Sequence, residues 1–524
     1  MKKNNLLFIF ILLCFGLIGC SDSVKYDKIE LWKTDTKDFQ NGWVMKTDFP
    51  DNRFGTYLGN GYFGMRLFSK GLCFDNNPSE CYMAGVYSNE NLITVPNIAD
   101  IRFYEVNNSQ VTEFTPTTDK NFSQYLDMKT ATLFTDRVYK AGNKKIKTKI
   151  ESKVLRLNDK SSRVLIKVNI LPQYNGEFFV VAPVDYSKEN FKFSNNSYKL
   201  IGNSKTDTLY VKQNFIINGA EKTDKYHSLK TVCMGDYDQA EQALFSVKKN
   251  NEINITYCSE ISKNPIVCLL DENECNKYEE EHNKNWADLW KSDIEIEGDN
   301  EAQQTVRSNL FYLLCSASKD YSIAPMGLSH NSFSGHTFWD AEMWMFPALI
   351  WQYPQFAKGM IKYRINTLEG AIQNAENHSM KGAEYAWESG ETGIETSPDP
   401  STIYERHING DIAFAIWEYY VFTEDKDFLK EAYPVLKNTA DYWISKAEKG
   451  KNGLYEIKHI CAPDENANIV DNSVYTNAIA QINLWIVTEA GKILGESVNS
   501  EYINIANNMY IGVDKTNNRF IIYD

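Results

Sequence analysis

With 524 residues, the chain is too long for a single hydrophobic core and divides most naturally into two large units. Hydrophobic residues at 43% and charged residues at 24% exclude a disordered chain and a multi-span membrane protein. The net charge is −14 and Lys and Arg are scattered, so no basic patch is available for a phosphate backbone and no nucleic-acid partner is expected.

The first element is residues 1–20, which read as a bacterial lipoprotein signal peptide: Lys2 and Lys3, an apolar run from Leu6 to Leu17, then Leu17-Ile18-Gly19-Cys20. The run falls short of the ~20 apolar residues that span a bilayer and ends in small residues, as a cleaved signal does. The competing reading is a retained anchor helix. On the lipoprotein reading Cys20 carries a diacylglycerol thioether, residues 22–28 form a tether, and several acyl chains anchor the protein stably. The protein is then expected outside the cytoplasm, lipid-anchored to a bacterial membrane, with the periplasmic or surface face of the outer membrane as the expected site. A chain this large does not need disulfides, and Cys73 with Cys81 is the favoured pair. No His/Cys spacing points to a metal, and no cofactor is expected.

Residues 21–271 alternate like strands, as in Val164–Val168, Glu177–Ala182 and Thr208–Lys212, with turn signals such as Asn175-Gly176 between them. This predicts a β-sandwich. Residues 272–300 form a charged amphipathic helix, read as a linker, with Trp286 and Trp290 four apart on one face beside His282. From 301 to 524 helices are predicted at 301–318, 339–351, 355–377, 409–422, 426–447, 474–493 and 499–509. The loops 319–338, 378–408 and 448–473 exceed the length of ordinary connections, which directs attention to their residues.

In those loops acids stand beside aromatics. Trp339-Asp340 falls where a loop becomes a helix, and its plain reading is a core Trp and a capping Asp. Trp387-Glu388 repeats the pairing, with packing and loop chemistry as the plain reading. Pro463-Asp464-Glu465 reads first as a turn, and His407-Ile-Asn-Gly410 as a helix start capped by Asn409. Taken in order, however, GHTFWDAEMWMFP, YRINTLEGA, YAWESGETG, HINGD, APDE and NSVYTN resemble glycoside hydrolase family 65, nearest to its protein-glucosylgalactosylhydroxylysine glucosidase and kojibiose hydrolase branch. LGNGYFG at 58–64 extends the resemblance upstream, so that it runs from about residue 40 to the end.

The resemblance implies a multidomain β + α protein: an N-terminal β-sandwich, a helical linker and an (α/α) six-hairpin barrel, here incomplete. It implies Glu465 as the general acid that protonates the glycosidic oxygen, its pKa raised by Asp464 and partial burial. Asp340 would bond hydroxyls of the non-reducing glucose, Trp339 would wall that subsite, and Trp387 and Glu388 would lie near the neighbouring one. His407 is expected as structural support. The Lys-Gln pair and general-base Glu that the family carries later have no match, so a chain cut short is expected, with apolar helix faces exposed and its own turnover in doubt. Three functions stay open: an inverting hydrolase of a terminal α-linked glucose, with α-1,2 linkage foremost; a disaccharide phosphorylase; and a non-catalytic glycan-binding lipoprotein.

Overall fold

A computed structural model describes residues 42–524 apart from 51–54, 73–79, 108–109, 118–121, 184–190, 195–196, 201–207, 221–240, 269, 399–401 and 468. The signal sequence, Cys20, the tether and Cys73 therefore lie outside the described residues. Cys81 is buried, and its expected pairing with Cys73 falls outside them too.

Strand alternation is plain in Lys144–Val154, where Ile146, Thr148, Ile150 and Ser152 are buried while Lys145, Lys147 and Lys149 face solvent. That strand lies within a large antiparallel sheet ordered Val44–Thr47, Phe122–Asp127, Thr132–Ala141, Lys144–Val154, Ser162–Pro172, Ile253–Ser262, Thr208–Asn218, Ser197–Leu200 and Phe191–Ser194. A second sheet is ordered Glu241–Val247, Gly176–Ala182, Arg102–Asn107 and Gln110–Glu113, and a third runs Thr56–Gly59, Phe63–Leu67, Cys81–Ser88 and Asn91–Val95. Phe103, Phe178 and Phe245 of the second sheet share one core with Ile146, Ile166 and Tyr257 of the first. The inner faces thus meet as a β-sandwich, the fold class the sequence implied.

Helix α1 (Glu272–Leu289) opens on Asp271, whose side chain accepts from the Glu274 N–H. Its buried face docks on the sandwich through specific polar contacts. His282 Nδ1 accepts from the Arg156 N–H at 3.0 Å, and its Nε2 meets the Thr130 carbonyl at 2.9 Å. Burial drives this imidazole down to about 3, so it is neutral, and its Nε2–H is the donor to Thr130. Trp290 Nε1 donates to the Met128 carbonyl.

The helical unit contains α2 (Asn300–Ser316), α3 (Phe346–Ile350), α4 (Pro354–Asn366), α5 (Leu368–Asn377), α6 (Ile408–Thr423), α7 (Lys426–Lys446), α8 (Val474–Leu494) and α9 (Ser500–Asn507). Two predicted helices are broken. The segment 355–377 divides at Thr367, whose backbone leaves the helical region at φ −102 and ψ 12, into α4 and α5. The segment predicted at 339–351 begins as a π-helical turn at Ala341–Met345 before α3, because Pro347 has no N–H to offer Met343. No helix among the described residues is long and apolar enough to cross a membrane.

The segment at 58–64 joins the two units. The Gly61 N–H donates to the Cys315 carbonyl at 2.8 Å, and Tyr62 Oη donates to Asp320 at 2.6 Å. Gly61 has φ +83, and a Cβ there would sit 2.1 Å from the Ala317 carbonyl oxygen, so only glycine fits. The core runs continuously from the sandwich through Trp286 and Phe311 into the helices. Aromatic side chains remain on the outer surface flanking α6: Trp351 is 66% exposed, and Phe422 and Trp485 are each 39% exposed.

Candidate active site

The loop before Trp339 is built by left-handed backbone. Phe333, Ser334 and Gly335 have φ of 60, 55 and 67, and a Cβ on Gly335 would meet Leu92 of the sandwich at 2.3 Å. Beyond it, Thr337 forms a two-residue antiparallel bridge with Ser389, tying the loop of Trp339 to that of Glu388. Tyr363 Oη donates to the Gly390 carbonyl at 2.6 Å and braces the second loop from α4.

Beneath Asp340 lies a buried ion pair. Arg364 Nε and Nη2 contact the two carboxylate oxygens of Glu342 at 2.7 and 2.8 Å, and Nη2 also reaches the Phe338 carbonyl at 3.2 Å. Burial pushes the Glu342 carboxyl upward, against the pull of Arg364. Asp340 makes no capping bond to the turn it precedes, so its expected structural role fails and its half-buried carboxylate is left for other partners.

Trp339 stands edge-on to His407, ring centroids 4.8 Å apart, and near Tyr475 at 6.5 Å. His407 is fully buried between two acids, with Nδ1 2.6 Å from Asp411 and Nε2 2.6 Å from Glu405. Burial alone would depress it, but Asp411 and then Glu405 raise it to about 9, so it is an imidazolium donating to both. Tyr475 Oη donates to the other Asp411 oxygen at 2.8 Å. His407 thus packs against the Trp339 ring and fixes it.

Glu405 continues the chain of contacts toward Glu465. Its backbone bridges Cys461, at the base of the hairpin Ile460–Cys461 and Ile469–Val470, whose tip holds Glu465 in the single turn Glu465–Ala467. Burial raises the Glu405 carboxyl, against the pull of His407. Glu465 and Asp464 are both exposed, so the partial burial expected of Glu465 from the resemblance is not seen.

On the other side, buried Glu388 meets His336 Nδ1 at 3.2 Å. Trp387 presents its ring edge-on to Phe338 at 5.0 Å, and its Nε1 is buried with no hydrogen-bond partner. Asn409 does not cap α6: its side chain accepts from the Tyr385 N–H at 2.8 Å and donates to the Ala383 carbonyl, fixing the loop before Trp387. Trp339, Trp387 and Glu388 are therefore joined through bridged loops, and Glu465 connects to them through Glu405 and His407. Glu405, Asp411 and Tyr475 were not singled out from sequence. The signal was there in His407 and Asp411, four apart at a helix start.

These loops are borne on a β-sandwich and a helical unit, and comparison with known proteins fixes the family. Residues 55–265 match the glycosyl hydrolase family 65 N-terminal domain and residues 307–521 match the glycosyl hydrolase family 65 central catalytic domain. The chain belongs to glycoside hydrolase family 65. It is similar to a kojibiose hydrolase of Mucilaginibacter mallensis, 43% identical over 235 residues, covering 44% of this chain and 35% of that protein. A protein-glucosylgalactosylhydroxylysine glucosidase of Dictyostelium discoideum is 38% identical over 249 residues, 45% of this chain and 35% of its own length. The match thus spans about a third of each of these relatives. A kojibiose phosphorylase of Halothermothrix orenii is 29% identical over 88% of this chain and 68% of its own length. Among solved structures, a putative kojibiose phosphorylase from human microbiome superposes with a TM-score of 0.73 at 17% identity, over 92% of this chain and 72% of that one, and supports the fold.

Proposed function

We propose that this chain carries the acid and the glucose-binding side of an inverting α-glucosidase, which removes a terminal α-linked glucose, α-1,2 foremost, from an oligosaccharide or glycoconjugate. The observation that supports it most is the linked set Trp339, His407, Glu405 and the Glu465 turn, an aromatic wall and a carboxyl-bearing loop held by one buried network. Glu465 is the general acid that protonates the glycosidic oxygen from an exposed turn. Asp340 binds hydroxyls of the non-reducing glucose, Trp339 walls that subsite, and Trp387 with Glu388 borders the next. Inversion also needs a carboxylate base about 6.5–9.5 Å from the acid on the opposite face of the sugar.

Calorimetry with kojibiose tests the binding half: Asp340→Asn and Trp339→Ala should each weaken binding at least tenfold, and unchanged affinity in both would remove the subsite. A second reading, phosphorolysis, is favoured by the long alignment with the Halothermothrix orenii phosphorylase. Strict dependence of turnover on phosphate would establish it. Export through the lipoprotein signal belongs to the same proposal, because a hydrolase needs no phosphorylated product to be retained by the cell. Cys20→Ala should move the protein from the membrane to the soluble fraction, and unchanged membrane association would sink the lipid anchor.

A further inference from the structure

The connection between sandwich and linker holds three thiols that the sugar chemistry does not use. Cys258 lies in the last strand of the large sheet, opposite Leu165 and Asn214. Its neighbour Tyr257 points into the sandwich core, whereas Cys258 points outward into a separate buried cluster with Leu155, Leu157, Leu165, Leu270 and Cys275. Cys275 is in the first turn of α1, which covers that outer face. The chain between them is drawn tight: Asn214 Nδ2 donates to the Leu270 carbonyl at 2.6 Å, and the Cys275 N–H donates to the Asp271 carbonyl at 2.9 Å. The two thiols share that cluster and interact with each other electrostatically. The two residues are 0% and 1% exposed.

From this geometry we infer that Cys258 and Cys275 are a disulfide-forming pair, which staples the linker helix to the last strand of the sandwich when the chain folds in the presence of a disulfide oxidant. Cys275, in the first turn of the helix that docks, is taken as the attacking sulfur. Its thiolate attacks the oxidant disulfide, forming a mixed disulfide and expelling one thiolate. Cys258 then loses its proton to solvent, attacks the Cys275 sulfur and expels the second. The protein gives up two protons and two electrons, and the oxidant becomes two thiols. Because both sulfurs are buried once α1 has docked, closure belongs to folding. Cys268, in the connecting loop, packs only partly buried against the same cluster and donates to Glu260 at 3.0 Å, which engages it elsewhere. Cross-linking across this short loop limits the unfolded chain without altering the docked helix.

The test is to refold the full chain in a mixture of oxidised and reduced glutathione, block remaining thiols under denaturing conditions, digest, and map cross-linked peptides by mass spectrometry. The expected result is a Cys258–Cys275 linked peptide, kept in Cys268→Ser and lost in Cys275→Ser, with an apparent Tm about 5 °C or more above that of the reduced chain. Blocked thiols at both Cys258 and Cys275, or a cross-link that joins Cys268 to either, would overturn the inference. Neither outcome bears on the glucosidase reading. If Cys275→Ser fails to fold, the peptide map of the unaltered chain and of Cys268→Ser decides alone.

Discussion

Replacing His407 with Gln removes the cation between Glu405 and Asp411 while keeping a side chain able to donate. His407 is fully buried, and its ordinary value of 6.5 rises to about 9 in the folded protein. Because the folded value is raised, the protonated imidazole contributes stability that is fully present below about pH 6.5 and is lost as pH climbs through about 9. At about 1.4 kcal/mol per pH unit, the rise corresponds to roughly 3 kcal/mol, from which the buried Glu405 subtracts a part. In a unit this size each kcal/mol moves the midpoint by about 2–4 °C, so at pH 6 the variant should melt about 6–12 °C lower. Thermal unfolding followed by circular dichroism from pH 6 to 9.5 is the assay. The two curves should converge toward the alkaline end. A variant whose midpoint runs parallel to the parent across that range would refute the imidazolium between two acids.

Two further outcomes follow from the packing. Arg364→Met leaves Glu342 buried without its bidentate partner and should cost about 3–5 kcal/mol, read as a fall in denaturant midpoint; a loss below 1 kcal/mol would mean the site beneath Asp340 does not rest on this pair. The double substitution Trp351→Ser with Phe422→Ser breaks an aromatic contact of 5.0 Å on the outer surface beside α6, and should reduce binding of an apolar dye with a stability change of about 0.5 kcal/mol or less. Unchanged dye binding would place the sticky surface elsewhere.

The β-sandwich was legible because period-two alternation such as that of Lys144–Val154 reports directly which face is buried. The family motifs were legible because fixed residue types recur in fixed order. Helix interruptions were harder to read. Nothing in Asn366-Thr367-Leu368 is a Gly or Pro, so no local breaker announces the change of backbone at Thr367. Asn409 was misread as a cap because the partners of its side chain, Ala383 and Tyr385, lie in a loop distant in sequence. The same limit hid Glu405: its role comes from a backbone bridge to Cys461, and no local pattern encodes such a contact. The exposure of Glu465 could not be read at all, since it is set by what packs around the hairpin tip.

The most direct test of the proposed chemistry is proton NMR of kojibiose incubated with the protein in phosphate-free buffer. The β-anomer of glucose should appear first, with the α-anomer following by mutarotation, and Glu465→Gln should abolish the signal. Release of the α-anomer first, release undiminished in Glu465→Gln, or no release together with no kojibiose binding would contradict an inverting α-glucosidase built on Glu465.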